Sequence, residues 1–332
     1  MRTLGKLIAA FALSLSTAAT PQPYQPPRHT QPPPMIDVGT PRDILARADS
    51  GIQIERDRSP AIELEEHRKL DRALQALLPQ RPGTVDAYVV SIALDSDPVF
   101  GREARVAGDV LARRYDAAGR TIVLAGSDGS APSGLPRGTP ETLAIVLARI
   151  AELIDRQEDA IVVYTTSHGA TVGLYYNDGD NGYGLISPYR MAGMLDGLGL
   201  RNRLLILSAC YAGVFVPRLR SDTTAIVTAA SSDRSSFGCA AENDWTFFGD
   251  AMINHALRTA QPLAAAFAEA DRLVDAWETQ LRVRPSQPKS SIGRGAARWL
   301  GPLEARMPRA ATQPVGRPAL ESMRAAGNRG KE

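Results

Sequence analysis

The feature that most narrows what this chain can fold into is an alternation. Short runs rich in aliphatic and β-branched residues recur between segments of helical spacing. VDAYVVSIAL (85–94), RTIVLAG (120–126), DAIVVYTTS (159–167), RLLILSA (203–209) and TTAIVTAAS (223–231) read as strands. Before and between them, 60–78, 99–115, 139–154 and 187–198 place their apolar residues one helical turn apart. The 139–154 segment opens with Thr139 as cap and Pro140 in the first turn, a helix start. Helices are also expected at about 246–258 and 262–281, and a late strand within 289–300. Nearly continuous apolar strands alternating with helices predict an α/β fold. Its central sheet is mostly parallel and carries helices on both faces.

The alternation covers only the middle of the chain, which sets the expected boundaries. Residues 1–19 show the three parts of a secretory signal: Arg2 and Lys6, then the apolar run Leu7–Leu15, then small residues to Ala19. The run is shorter than the roughly 20 apolar residues a bilayer requires, and no later run reaches that length. Export with cleavage near Ala19 is the expectation, to the periplasm or outside the cell. Residues 20–58 read as a proline-rich and polar linker, 59–304 as one domain, and 305–332 as a disordered tail. A formal net charge of +2 over 332 residues is near balance. Nucleic acid and anionic membrane surfaces select for basic patches, so neither is expected as the main partner.

In open parallel sheets, ligands sit beyond the carboxyl ends of the strands. Two strand ends carry chemistry. IVVYTTS runs into His168-Gly169, and RLLILSA runs into Cys210, with Gly213 close behind. If those strands are neighbours, a thiol and an imidazole face each other. The imidazole would depress the thiol pKa and later protonate a leaving amine. The N–H groups of Gly169 and Cys210 would suit an oxyanion hole. A helix beginning after Cys210 would favour the thiolate further. Each residue has a plainer reading. A lone cysteine at a strand end is commonly a small buried hydrophobe, and a histidine there a structural residue. A Cys210–Cys239 disulfide is the rival for an exported chain and would silence a Cys210 nucleophile.

Four stretches occur in order: TTSHGATVG, LLILSACYAGVFV, VTAASSDRSSFGC and TFFGDA. Together they resemble the bacterial branch of the legumain-type cysteine peptidases. That family includes the catalytic subunit of the GPI-anchor transamidase and belongs to the caspase clan. The similarity spans about residues 60–300. It implies a caspase-like three-layer sandwich and an endopeptidase needing no metal or cofactor, acting on protein or peptide. His168 would be the general base and acid, Cys210 the nucleophile, and Gly169 and Cys210 the oxyanion donors. For the pocket that receives the residue before the cleaved bond, the resemblance implies Asp250 as an acid and Ser236 and Phe237 as wall. Arg102 is the nearest match to a pocket arginine. The position two before the nucleophile is acidic in legumain and is Ser208 here, which changes the pocket charge. Asn, or a polar or basic residue, is the expected preference. Transfer to an amine, a non-catalytic peptide-binding relative and a tethered envelope protein are the alternative readings. YYNDGDNGYG (175–184) lacks the spacing and final Glu of a calcium loop and reads as a turn between short strands bordering the site. Asp95 and Asp97 follow the first strand, where either would be placed to orient His168, a role a backbone carbonyl would fill equally well.

Overall fold

The computed structural model describes residues 28, 30, 38–126 and 133–329. The signal segment 1–19 and most of the proline-rich stretch lie outside the described residues. In chain order the elements are α1 (Pro41–Ser50), β1 (Gln53–Glu55), α2 (Pro60–Gln75), β2 (Ala87–Ala93), α3 (Pro98–Arg114), β3 (Thr121–Leu124) and α4 (Pro140–Leu153). Then follow β4 (Ala160–Thr166), β5 (Gly169–Ala170), β6 (Gly173–Asn177), β7 (Gly182–Ile186), α5 (Pro188–Gly197), β8 (Arg203–Ser208), α6 (Val216–Leu219) and β9 (Thr224–Thr228). The chain continues through α7 (Leu263–Leu281), β10 (Lys289–Ile292), α8 (Ala297–Ala305) and α9 (Ala319–Arg329).

The main sheet has six strands in the order β10-β9-β8-β4-β2-β3. Every pair from β9 to β3 is parallel, and β10 closes one edge antiparallel to β9. Strand side chains alternate between faces, so a strand buried on both sides feeds two cores. Ala87 and Val89 of β2, Val162 and Tyr164 of β4, and Leu204 and Ile206 of β8 join one core with α3, α7 and α8. Tyr88 and Val90, Ile161 and Val163, and Leu205 and Leu207 join the other with α2, α4, α5 and α6. The result is the expected mostly parallel three-layer sandwich, and the strand and helix order read from the sequence holds through its middle. The N-cap of α4 is Thr139, whose side chain accepts from the Thr142 N–H, with Pro140 in the first turn. No helix among the described residues is long and apolar enough to cross a membrane.

The structure departs from the expected boundaries at both ends. Part of the 20–58 linker is built. Helix α1 is closed by a Thr40–Asp43 capping box and ended by left-handed Gly51. Strand β1 pairs with β7 in a second, antiparallel sheet of order β1-β7-β6-β5. Ala48, Ile52 and Ile54 share a small core with Leu185, and Arg58 sits 2.7 Å from Asp178. These few apolar residues and one ion pair anchor a segment too polar to be read as folded from its sequence. Residues 305–329 likewise differ from a disordered tail. Val315 accepts from Trp245 Nε1 at 2.8 Å and exchanges two hydrogen bonds with the Asn254 side chain. Ala319, at the start of α9, is fully buried.

Smaller differences follow local geometry. The expected 246–258 helix is a π-helical turn over Gly249–His255 followed by a 3-10 turn. Residues 289–300 divide between β10 and the start of α8. The chain after Cys210 makes a 3-10 turn (Ala212–Phe215) and the four-residue α6, not a long helix. The 175–184 stretch is the β6–β7 hairpin, paired from Leu174↔Ile186 to Asn177↔Tyr183. Its tip is held by Arg58 and Arg137, both ion-paired to Asp178.

Candidate active site

Register brings the chemistry together. Strands β4 and β8 are parallel neighbours, and Thr166 pairs with Ser208. His168 and Cys210 each lie two residues beyond that pair, so they leave the sheet level with one another. On the other side of β4, Ala93 of β2 pairs with Thr166, and the chain beyond it carries Asp95 and Asp97. On the far side of β8, the segment leaving β9 returns over the same edge. Its Ser236 N–H donates to Cys210 Sγ at 3.2 Å, and the Ser236 carbonyl lies 3.6 Å from that sulfur. It is therefore the backbone of Ser236 that meets the nucleophile.

Two side chains flank the imidazole. Phe100 of α3 stands edge-on to the His168 ring, with centroids 5.2 Å apart. Asp97 Oδ2 lies 4.0 Å from His168 Nε2. Asp97 N–H in turn donates to Asp95 at 2.9 Å, so Asp95 braces the turn and Asp97 faces the ring. The His168 side chain is 43% exposed, open to a reactant from solvent.

The thiol environment favours the anion. The pKa of Cys210 falls from the ordinary thiol range to about 6. The largest cause is a hydrogen bond from the Cys239 thiol; burial opposes it, and the Ser236 N–H and the charge of His168 add to the lowering. Cys239 moves the other way, held protonated by its bond to the Cys210 sulfur and by burial. Both cysteines are free, so the disulfide alternative does not describe this structure. Cys239 packs in a small core with Phe100, the residue that also flanks His168.

Backbone conformation is fixed around the nucleophile. Tyr211 is left-handed at φ 58°, a region costly for a residue with a side chain. Gly169 is pressed against the Cys210 backbone. A Cβ there would lie 2.3 Å from the Cys210 carbonyl oxygen, so only glycine fits.

The residues expected to form the pocket are dispersed. Ser208 is 2% exposed and donates to Glu103 at 3.1 Å, so it faces the interior. Asp250 is fully buried; its carboxylate accepts from Asn254 Nδ2 and the Ala319 N–H, both at 2.8 Å. With both oxygens engaged by the chain itself, Asp250 anchors α9 and offers no acid to a substrate. The preference for Asn or a basic residue expected from it loses its support. Arg102 donates to the carbonyls of Ala241 and Asn243 and sits 3.5 Å from Asp244, bracing that loop. Phe237 is half-buried, 6.1 Å from the Phe247 ring centroid.

One residue absent from the expected set is central. Glu103 of α3 is completely buried. Its Oε1 accepts from the hydroxyls of Tyr164, Thr166 and Ser208, and its Oε2 accepts from the Thr246 N–H at 2.8 Å. It ties α3 to β4, β8 and the 246 segment directly beneath the strand ends. A carboxylate thus stands against Ser208, where an acid is missing from the chain two residues before Cys210. The sequence held a signal: Glu103 falls in the buried stripe Val99, Phe100, Ala104, Ala107 of α3.

The family model described as the peptidase C13 family matches residues 143–295, a span containing both His168 and Cys210. No curated protein matches the chain. Among solved structures, the crystal structure of caspase-1 from Spodoptera frugiperda is similar at a TM-score of 0.41 and 14% identity, over 65% of this chain and 88% of that chain.

Proposed function

We propose, on the premise that this chain is a legumain-type (C13) cysteine peptidase by family, that it is an endopeptidase working through Cys210 and His168. The observation that carries the reading is the thiol: its pKa is drawn down to about 6 beside an exposed imidazole at a level pair of strand ends. At neutral pH such a sulfur is largely anionic and ready to attack.

The steps follow from the groups present. The Cys210 thiolate adds to a peptide carbonyl carbon, and the carbonyl oxygen takes the negative charge. The N–H groups of Gly169 and Cys210 are the assigned donors to that oxygen. The C–N bond breaks as protonated His168 gives its proton to the departing amine, leaving a thioester on Cys210. His168 then takes a proton from water, which attacks the thioester and frees the acid and the thiolate. Asp97 Oδ2, 4.0 Å from His168 Nε2, supports the imidazolium before acylation and again when water attacks the thioester. The basic N-terminus, apolar run and small residues to Ala19 support export; N-terminal sequencing of the protein recovered from its source tests that part.

The deciding experiment treats purified protein with a thiol alkylator across pH and, in parallel, with a library of short fluorogenic peptides. Alkylation half-maximal near pH 6, with cleavage abolished by both Cys210→Ala and His168→Ala, is the expected outcome. Cleavage surviving Cys210→Ala would end this reading.

A further inference from the structure

Beside Cys210, on the β9 side, lies a groove of about 360 Å³ that the chemistry above leaves unused. Tyr211, Asp233, Arg234, Ser235, Phe237, Val283 and Arg284 line it. Its walls are fixed from both sides. Tyr211 N–H donates to the Arg234 carbonyl at 2.8 Å, and Ser231 N–H to the Ser286 carbonyl at 2.9 Å. Val283 N–H donates to the Glu278 carbonyl at 3.1 Å, holding the 283–284 wall on the end of α7. The groove is therefore formed before any ligand arrives.

Strand order says which half of a peptide reaches it. The leaving amine must meet His168, which stands at the end of β4. Strand β8, carrying Cys210, lies between β4 and β9. The acyl half of the substrate therefore extends over the β9 side, along residues 233–237. An extended peptide advances about 3.3 Å per residue and turns alternate side chains the same way. A side chain a few residues before the cleaved bond falls over the groove.

The lining specifies the chemistry of that side chain. Tyr211 and Phe237 offer aromatic surface for its methylenes. Asp233 is already engaged, accepting from Ser231 Oγ at 2.7 Å and lying 3.5 Å from Arg234 Nε. Arg284 is exposed and has no ion pair among the described residues. Two guanidinium groups against one occupied carboxylate leave a positive excess. A guanidinium matches a carboxylate in shape as well as charge.

We propose that this groove is a subsite for an acidic side chain, Asp or Glu, two to four residues before the cleaved bond, with Arg284 as the specificity-determining contact. The proposal rests on the peptidase reading for the direction of the peptide, and its test separates the two. Peptides carrying Glu, Gln or Lys at each of those three positions are compared by kcat/KM. The same peptides, dye-labelled, are titrated onto Cys210→Ala and read by anisotropy, which needs no cleavage. At one position Glu should exceed Lys by about five- to tenfold, the size expected for a partly solvated charge pair. Arg284→Glu should invert that ratio and Arg284→Gln should flatten it, in cleavage and in binding alike, with thermal melting confirming that both variants fold. A Glu preference in binding that Arg284→Glu inverts, without any cleavage, would keep the subsite and remove the peptidase reading. Equal rates for Glu and Lys, a Glu preference that survives Arg284→Glu, or peptides neither cleaved nor bound would overturn the subsite.

Discussion

Glu103 and Asp250 share a description and differ in what they hold. Both are carboxylates with no exposed surface, and both accept hydrogen bonds on each oxygen. Glu103 gathers hydroxyls from β4 and β8 and an amide from the 246 segment, beneath His168 and Cys210. Asp250 gathers Asn254 from its own π-helical turn and the first amide of α9. One carboxylate joins the elements that carry the reacting groups; the other joins the sandwich to its C-terminal segment. Burial of a charge marks both equally, so the identity of the donors separates a support of the site from a fastener of the tail.

Removing each acid tests that division, beginning with the larger effect. Glu103→Ala leaves three hydroxyls and an amide without their acceptor in a dry interior, and is expected to cost about 3–5 kcal/mol. Urea unfolding measures the loss, and alkylation of Cys210 should slow as the strand ends loosen. A loss below about 1 kcal/mol would place Glu103 outside the framework of the site. Asp250→Ala should cost less, about 1–3 kcal/mol, because it leaves two donors without their acceptor where Glu103→Ala leaves four. Limited proteolysis should then cut within 306–318 while Cys210 keeps its reactivity. Intact tails with an unreactive Cys210 would reverse the two roles.

Ser208→Ala removes one of the three hydroxyl donors to Glu103 and should cost about 1 kcal/mol. A loss as large as that of Glu103→Ala would mean that Ser208 carries more of the support than Glu103's other donors. Cys239→Ala should change stability least but shift reactivity. Thiolate is the reactive form, so alkylation rises as pH passes the Cys210 pKa of about 6. Losing the Cys239 hydrogen bond, the strongest lowering influence, should move that midpoint upward, toward an ordinary thiol. An unmoved midpoint would assign the lowering to Ser236 and His168 instead.

What the sequence made legible follows physical scale. Strands β2, β4, β8 and β9 are apolar on both faces, and that composition has few other uses, so they read clearly. Strands β1 and β5 have three and two residues; their existence depends on partners far along the chain. The level placement of His168 and Cys210 needed only the order and register of two legible strands. The pocket acid did not follow: Asp250 is assigned by resemblance, and one of the groups that takes up its carboxylate, the Ala319 N–H, lies 69 residues along the chain. Glu103 was readable only as a charge in an apolar stripe, a pattern that says a carboxylate is buried but not whom it meets. The C-terminal segment is mostly polar and small, and it is ordered through Val315, Ala319 and a few hydrogen bonds, too sparse a pattern to register along the chain.

The register Thr166↔Ser208 has a consequence for how this scaffold tolerates change in length. Because successive strand residues alternate faces, inserting or deleting one residue at 167 or 209 would turn a reacting group toward the opposite layer of the sandwich. Two-residue changes would restore the facing but displace the group by more than 6 Å along the strand, at roughly 3.3 Å per residue. The β6–β7 hairpin tip and the loop of residues 241–244 sit outside that constraint. Lineages descending from such a chain would accumulate length variation there, while the two residues after each strand end keep a fixed count.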